Sequence, residues 1–344
     1  MNKIIIDGSI GEGGGQIFRT SLTLSLLTKK TLQIHNIRSK RSSPGLKQQH
    51  LTALKAASEI SRAQVEGDVL GSQEVLFIPG KVNSGKYNFV IPTAGSASLV
   101  LQTILLPLTA PLKASQVSIT GGTHVPWSPP FHYLSWQWLP WLEKIGYLAK
   151  IELHHCGYYP AGGGRMTGSV FPVETIHSIE AVERGKLIQI RGLSAVSNLS
   201  LEIAKRQRLR FISRMGSSYP LNDIRAADLP GRGKGTFLAV LVEFERITAC
   251  FSSLGEKGKR AEEVADEVAG QIEKYIKSPG CIDRYLADQL LVPLSFAHDR
   301  SILITSEITS HLLTNAEVIQ QFLPVRIDID GELGEPGEVI IIPR

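Results

Sequence analysis

Through its first half the sequence alternates short β-branched runs with stretches whose apolar residues recur at helical spacing. That alternation limits the fold more than any other feature. "KIII" at 3–6 reads as a strand, and residues 16–27 carry apolar side chains three and four apart behind a glycine loop. A second strand is predicted at 32–37 and a second helix at 46–61, opened by Pro44-Gly45. Two strands follow at 74–78 and 87–91, with Pro79-Gly80 between them. The pattern resumes with a helix at 96–106, a strand at 116–120, a Trp-rich helix at 131–145 and a strand at 151–155. The unit is strand, helix, strand, helix and a strand pair, which predicts an α/β (α+β) fold made by repetition. The glycine triplet at 13–15 is echoed at 162–164, where it leads into a strand.

Residues 184–278 break this rhythm. They hold a strand (187–190), a basic helix (199–213), paired strands (236–243 and 246–251) and a long helix (259–276), closed by "KSPG". This self-contained α/β set reads as a smaller inserted domain, with 1–183 and 279–344 forming the larger one; 344 residues suit two domains. A helix at 282–291, a strand at 301–304 and two final strands in "VRIDID" and "EVIIIPR" complete the chain.

Composition narrows the function classes. With 42% hydrophobic residues the chain can bury a sizeable core. No stretch approaches 18 uninterrupted apolar residues, and the three isoleucines before Asp7 are too few for a signal-peptide core, so a cytoplasmic protein without membrane contact is expected. Cys156, Cys250 and Cys281 stand far apart, which argues against a disulfide framework and against a thiolate zinc site. The net charge of +5 suits an anionic partner.

Five segments carry side chains suited to chemistry. "DGSIGEGGGQIFR" (7–19) places glycines before a helix, where free backbone N–H groups and the helix dipole favour an anion. It lacks the GKS or GKT of a Walker loop and does not match a dinucleotide fingerprint. Glu12 can hold a divalent metal beside phosphates, and Gln16 and Arg19 share a helix face. "RSKRSSPGLKQQH" (38–50) gathers Arg38, Lys40, Arg41 and Lys47 ahead of Gln49 and His50; arginine forks fit phosphate oxygens. "TAGSASLVLQTILLPL" (93–108) sets Gln102 on an otherwise apolar helix face, and "GYYPAGGG" (157–164) is a rigid turn followed by three glycines. In "DRYLADQLLVPL" (283–294) Tyr285 and Asp288 are three apart and can meet a base and a ribose. His311, in "TSEITSHLLTN", is alone among small hydroxyl residues and leucines and is ambiguous by itself.

Together "GEGGGQIFRTSL", "RSSPGLKQQHLTALKAASEI", "GYYPAGGG", "YLADQL" and "SHLLTN" resemble the RNA 3′-terminal phosphate cyclase family, in its order and spacing and over essentially the whole chain. The resemblance implies three βαβαββ repeats forming a large domain, with a smaller α/β domain inserted as the third repeat begins to close. It implies an enzyme, a ligase-type nucleotidyl transferase, that converts an RNA 3′-terminal phosphate to a 2′,3′-cyclic phosphodiester with ATP through a covalent histidine–AMP intermediate and an RNA-adenylate. The implied nucleophile is His311. The implied ATP contacts are Gln102, Tyr285, Leu286, Ala287, Asp288 and Gln289. Gln16, Arg19, Arg38, Arg41, Gln49 and His50 match phosphate- and RNA-end-binding positions, and Glu12 the acid associated with Mg²⁺ or Mn²⁺. The chemistry is coherent: a neutral imidazole is a competent nucleophile, and the neighbouring 2′-OH that closes the ring is absent from DNA.

Two positions depart from the family pattern: Cys156 stands where a basic residue usually precedes Gly157, and His124 follows "GGT" where a short polar side chain is expected. Both bear on substrate contacts. Three other readings are a catalytically silent relative that binds RNA or ribosome-assembly partners, an enolpyruvyl-transferase-like enzyme and a general RNA-binding module. Silent relatives lack the histidine found here at 311, the second reading gives an isolated histidine no role, and no signature of the third occurs.

Overall fold

β1 (Lys3–Asp7) pairs in parallel with β2 (Thr31–His35), and parallel neighbours need a crossover, which α1 (Gly15–Thr28) supplies. α1 buries Ile17, Phe18, Leu22, Leu24 and Leu26. α2 (Gln48–Ser61) follows, then β3 (Gln64–Glu66) and β4 (Val75–Ile78), the latter antiparallel to both β2 and β3. The sheet order is β1-β2-β4-β3. The computed structural model describes residues 3–343.

The same connectivity recurs twice. β5 (Lys86–Val90), α3 (Ala97–Leu105), β6 (Ser115–Gly121), α4 (Phe131–Tyr133), α5 (Leu139–Ile145), β7 (Ala149–His155) and β8 (Gly164–Val170) give the order β5-β6-β8-β7. β9 (Glu180–Ala181), α8 (Leu286–Leu294), β14 (Ser301–Thr305), α9 (Ser310–Phe322), β15 (Arg326–Asp330) and β16 (Gly337–Ile342) give β9-β14-β16-β15. In each repeat the first two strands are parallel and the rest antiparallel. The three βαβαββ repeats and the mixed α/β class are therefore as expected.

Between β9 and α8 the chain builds another sheet from β10 (Leu187–Ser197), β11 (Leu221–Asp228), β12 (Gly235–Phe244) and β13 (Thr248–Leu254), ordered β11-β10-β12-β13. α6 (Leu201–Met215) and α7 (Ala261–Lys277) pack on each other and against it. This insertion falls just after the third repeat opens, not as it closes. The reason is β9, a two-residue strand held only by its parallel pairing with Ile302 and Leu303. The basic helix is α6, and its cations are largely neutralised within the insertion. Arg206 pairs with Glu262 at 2.8 Å, Arg210 with Asp266 at 2.9 Å and Arg214 with Glu273 at 2.8 Å.

Other differences have local causes. The Trp-rich helix is split into α4 and α5 by a π turn at Leu134–Trp138, just ahead of Pro140, which has no N–H for the ladder. β11 is an edge strand in which polar and apolar residues are mixed out of phase and Ile224 alone is buried, so it lacks an alternating apolar signal. The helix expected at 282–291 begins at Leu286, and Asp283 accepts the N–H groups of Tyr285 at 2.9 Å and Leu286 at 3.0 Å. Among the described residues no helix is long and apolar enough to cross a membrane.

The second repeat meets the insertion through a buried aromatic seam. His124 stacks on Phe237 with ring centroids 4.2 Å apart, and its Nε2 lies 3.0 Å from Nδ1 of His132. Cys156 and Tyr158 lie in the same cluster. Burial pushes His132 down to about 4 and His124 well below the ordinary imidazole range. In the unfolded chain both titrate near 6.5, so between about 4 and 6.5 the unfolded state binds more protons and stability falls with falling pH. Asp283 and Asp288, raised to about 6 and about 7 by burial, act in the opposite sense. The histidine contribution is isolated by comparing melting curves of the wild type and H124N/H132Q from pH 7 to 4.5. The wild-type Tm should fall more steeply toward acid than that of the variant.

Candidate active site

His311 is the second residue of α9, whose first turn is capped by Thr309: its hydroxyl oxygen accepts the Leu312 N–H at 3.1 Å. The imidazole reaches across to the first turn of α1, where its Nδ1 is hydrogen-bonded to Oε1 of Gln16. The other face of the Gln16 amide donates from Nε2 to Asp288 Oδ2 on α8 at 2.5 Å. A carboxylate only accepts, so Asp288 turns the NH₂ of Gln16 toward itself and the carbonyl toward His311. The network thus assigns the ring proton to Nδ1 and leaves the Nε2 lone pair unprotonated. Nε2 lies 3.3 Å from Glu12 Oε2, and Glu12 in turn lies 3.4 Å from Nη2 of Arg41.

The surroundings keep this imidazole neutral. Partial burial lowers its pKa, and the positive charges of Arg19, Arg41 and Arg284 add to that, against an opposing pull from Glu12. Asp288 is pushed up to about 7 by burial and by the charge of Asp283, with Arg19 and Gln16 resisting. Its ionisation, and with it the Gln16 arrangement, is poised near neutral pH.

The glycine loop lies on the other side of Glu12. Gly13 has φ +57°, which favours glycine, and a Cβ on Gly15 would collide with Nε2 of His50 and come within 2.9 Å of Nη1 of Arg19. His50 and Arg19 therefore converge on the loop backbone. His50 Nδ1 accepts the Lys47 N–H at 3.2 Å, so its Nε2–H points at the loop; burial first, then neighbouring cations, pushes its pKa down to about 3. Lys40 ties the loop by donating to the Gly11 carbonyl at 2.8 Å.

Other expected residues do different things. Nη1 of Arg38 donates to the carbonyls of Ser43 and Gly45, both at 2.8 Å, and so braces its own basic loop. Gln49 accepts the Ser96 N–H at 3.0 Å, linking α2 to the start of α3. Gln102 donates to Oε1 of Gln289 at 2.6 Å, which brings the second repeat to the rim. Tyr285 is about half exposed beneath the Arg284 guanidinium, 5.3 Å from its ring centroid. Leu286 and Ala287 are wholly buried in the core, so in the run 285–289 only Tyr285, Asp288 and Gln289 keep side chains outside it. Among the described residues no group of three His, Cys, Asp or Glu could hold a metal ion. Glu12 is a lone carboxylate, which suits a divalent ion that arrives on phosphate oxygens.

Two participants escaped the sequence reading. Asn315 donates to the Asp288 carbonyl at 3.0 Å and accepts the Thr20 hydroxyl at 2.8 Å, joining α9, α8 and α1. It lies one helical turn beyond His311, a spacing that was available as a signal. Asp283 collects Tyr133, Gln137 and two backbone N–H groups beneath Asp288, and an Asp ahead of an apolar run is a recognisable helix start.

A protein-family model described as RNA 3′-terminal phosphate cyclase matches residues 10–329, a span that holds every residue named above at this site. The chain belongs to the RNA 3′-terminal phosphate cyclase family. A curated relative from Koribacter versatilis (strain Ellin345), an RNA 3′-terminal phosphate cyclase, is 41% identical over 332 residues, covering 96% of this chain and 93% of the relative. The two departures from the family pattern, Cys156 and His124, sit in the buried seam with the insertion and not at His311. Both belong to the packing of the second repeat on the insertion.

The electrostatics make a directional prediction. Followed by ¹H–¹⁵N NMR of the imidazole rings, His311 should be the neutral Nδ1–H tautomer at pH 7 and titrate below 6.5. Glu12→Gln should lower its pKa further, and Arg41→Ala should raise it.

Proposed function

We propose that this chain is an ATP-dependent RNA 3′-terminal phosphate cyclase, active in the cytoplasm, with His311 as its nucleophile. The observation that carries the reading is the position of His311, its Nδ1 bonded to Gln16 and its Nε2 turned toward Glu12 of a glycine loop on which Arg19 and His50 converge. In the first step Nε2 attacks the α-phosphorus of ATP; the N–P bond forms and the bond to pyrophosphate breaks. The imidazole becomes cationic while its Nδ1–H stays bonded to Gln16, and the Asp288 carboxylate, one amide away, favours that charge. Backbone N–H groups of the loop, with Arg19, Arg41 and His50, neutralise and align the phosphates; such transfers depend mainly on positioning and charge. Mg²⁺ or Mn²⁺ bound at Glu12 would supply further charge neutralisation on the phosphate oxygens.

In the second step an oxygen of the RNA 3′-phosphate attacks the AMP phosphorus, and the N–P bond breaks to return the neutral imidazole. The 2′-OH then attacks the activated 3′-phosphorus, loses its proton and expels AMP, which leaves the 2′,3′-cyclic end. Nucleophile and electrophile share one ribose, so proximity comes with the substrate. Gln102, Gln289, Asp288 and Tyr285 form the nucleotide-facing rim and are assigned to the base and ribose of ATP.

Incubation with α-labelled ATP and Mg²⁺ or Mn²⁺ should leave acid-labile, alkali-stable label on the protein, and His311→Ala should abolish it with the fold intact. Label on His311→Ala would remove the nucleophile assignment; a labelled wild type that leaves RNA 3′-phosphates uncyclised would remove the substrate. The labelling rate should rise with pH through about 7 as Asp288 ionises. Asp288→Asn should flatten that limb and slow labelling by about tenfold to a hundredfold, the scale expected when a reacting group is misplaced.

A further inference from the structure

One surface outside the cleft remains unexplained by adenylyl transfer. Trp127 is 100% exposed, and its φ of +61° is unusual for a bulky residue. Pro126, Pro129 and Pro130 stiffen its loop, so the ring is held in water by the chain around it. Strain that displays a large aromatic to solvent points to function more than to packing. Tyr159 is 71% exposed on the neighbouring loop. The two loops leave the seam side by side, since His124 and Tyr158 form a parallel bridge and the Thr123 and His124 N–H groups donate to the Gly157 carbonyl at 2.9 and 3.0 Å.

The insertion adds cations here. Its loop "PGRGKG" (230–235) is fastened to the second repeat, where the Cys156 N–H donates to the Pro230 carbonyl at 2.7 Å, and is braced within the insertion by Asn198, which donates to the Gly231 carbonyl at 2.7 Å. A Cβ on Gly163 would lie 3.3 Å from Cδ of Arg232, so that side chain lies along the glycine turn, and Arg232 and Lys234 are both exposed. Segments 121–130, 155–165 and 229–235 contain Arg165, Arg232 and Lys234, and the one carboxylate adjoining them in sequence is the exposed Asp228, so cations outnumber it.

This surface continues into the cleft. A Cβ on Gly162 would lie 2.8 Å from the Thr93 carbonyl oxygen, and one on Gly95 would lie 2.8 Å from Cβ of Gln49, the neighbour of His50. Exposed aromatics beside unpaired cations form the platform that single-stranded nucleic acid uses, with bases stacking on rings and phosphates following the charge. We propose that this ridge between the second repeat and the insertion binds the single-stranded RNA body 5′ of the reacting end, Trp127 stacking a base and Arg232 and Lys234 holding backbone phosphates. The assignment rests on the cyclase reading for its direction, and it gives the insertion a role in substrate selection.

The test compares a 3′-phosphorylated RNA 10-mer with a 3′-phosphorylated dinucleotide, which has only one nucleotide 5′ of the reacting end. Trp127→Ala and R232A/K234A should each raise KM for the 10-mer about tenfold, a factor typical of one lost base stack, with kcat, dinucleotide turnover and His311 labelling unchanged. Trp127→Phe should restore most of the loss, and R232A/K234A should flatten the salt dependence of 10-mer binding. An unchanged KM for the 10-mer, an equal loss with the dinucleotide, or equal competition by a blunt RNA duplex would overturn the proposal. If the wild type cyclises neither RNA, the cyclase reading fails. The ridge is then judged by fluorescence anisotropy with a 3′-hydroxyl 10-mer: weaker binding by the variants upholds it, and equal or absent binding rejects it.

Discussion

Parallel pairing of the first two strands in each repeat is the constraint from which the site follows. β1 with β2, β5 with β6 and β9 with β14 can be joined only by crossovers. Each crossover starts its helix beyond the carboxyl end of a strand, the end at which open α/β sheets bind ligands. α1 and α9 pack together, α8 packs on α9, and α1 touches α2 and α3. That arrangement gathers the glycine loop, His50, Gln102, Asp288 and His311 from all three repeats. No single repeat holds the whole constellation.

The third repeat differs from the others in carrying the insertion in its first crossover. In the first repeat that position is the glycine loop, where the backbone itself faces the cleft. In the third, the chain leaves for a whole sheet and returns at Asp283, whose carboxylate starts α8 and lies under Asp288. The insertion's Phe211, Val240 and Ile272 belong to the same hydrophobic core as the repeats, and β13 packs against α4 and the π turn that follows it, so the insertion is packed against them and not tethered.

What could be read from the sequence tracks how local each signal is. The helices around Phe18 and Leu51 carry their own periodicity, and the glycine loop and basic cluster are contiguous, so both were visible. β9 and β11 were not, because a two-residue strand and an edge strand without apolar alternation are defined by partners far along the chain. For the same reason Leu286 and Ala287 looked equivalent to Asp288 in one dimension, although the helix turns them into the core. His311 was the extreme case. Its tautomer depends on Gln16, 295 residues away, and on Asp288 behind it.

The ladder between α6 and α7 has a consequence for how a polyanion finds this protein. Arg206, Arg210 and Arg214 are matched by Glu262, Asp266 and Glu273, so the most cationic helix casts little net field beyond its own partners. The chain's net charge of +5 is then carried by cations outside this helix, among them those of 38–47 and Arg232 and Lys234. A polyanion approaching this protein would feel that asymmetry before any contact forms, within the reach of roughly 10 Å that salt leaves to exposed charge. Neutralising the wrong surface is in this way part of presenting the right one.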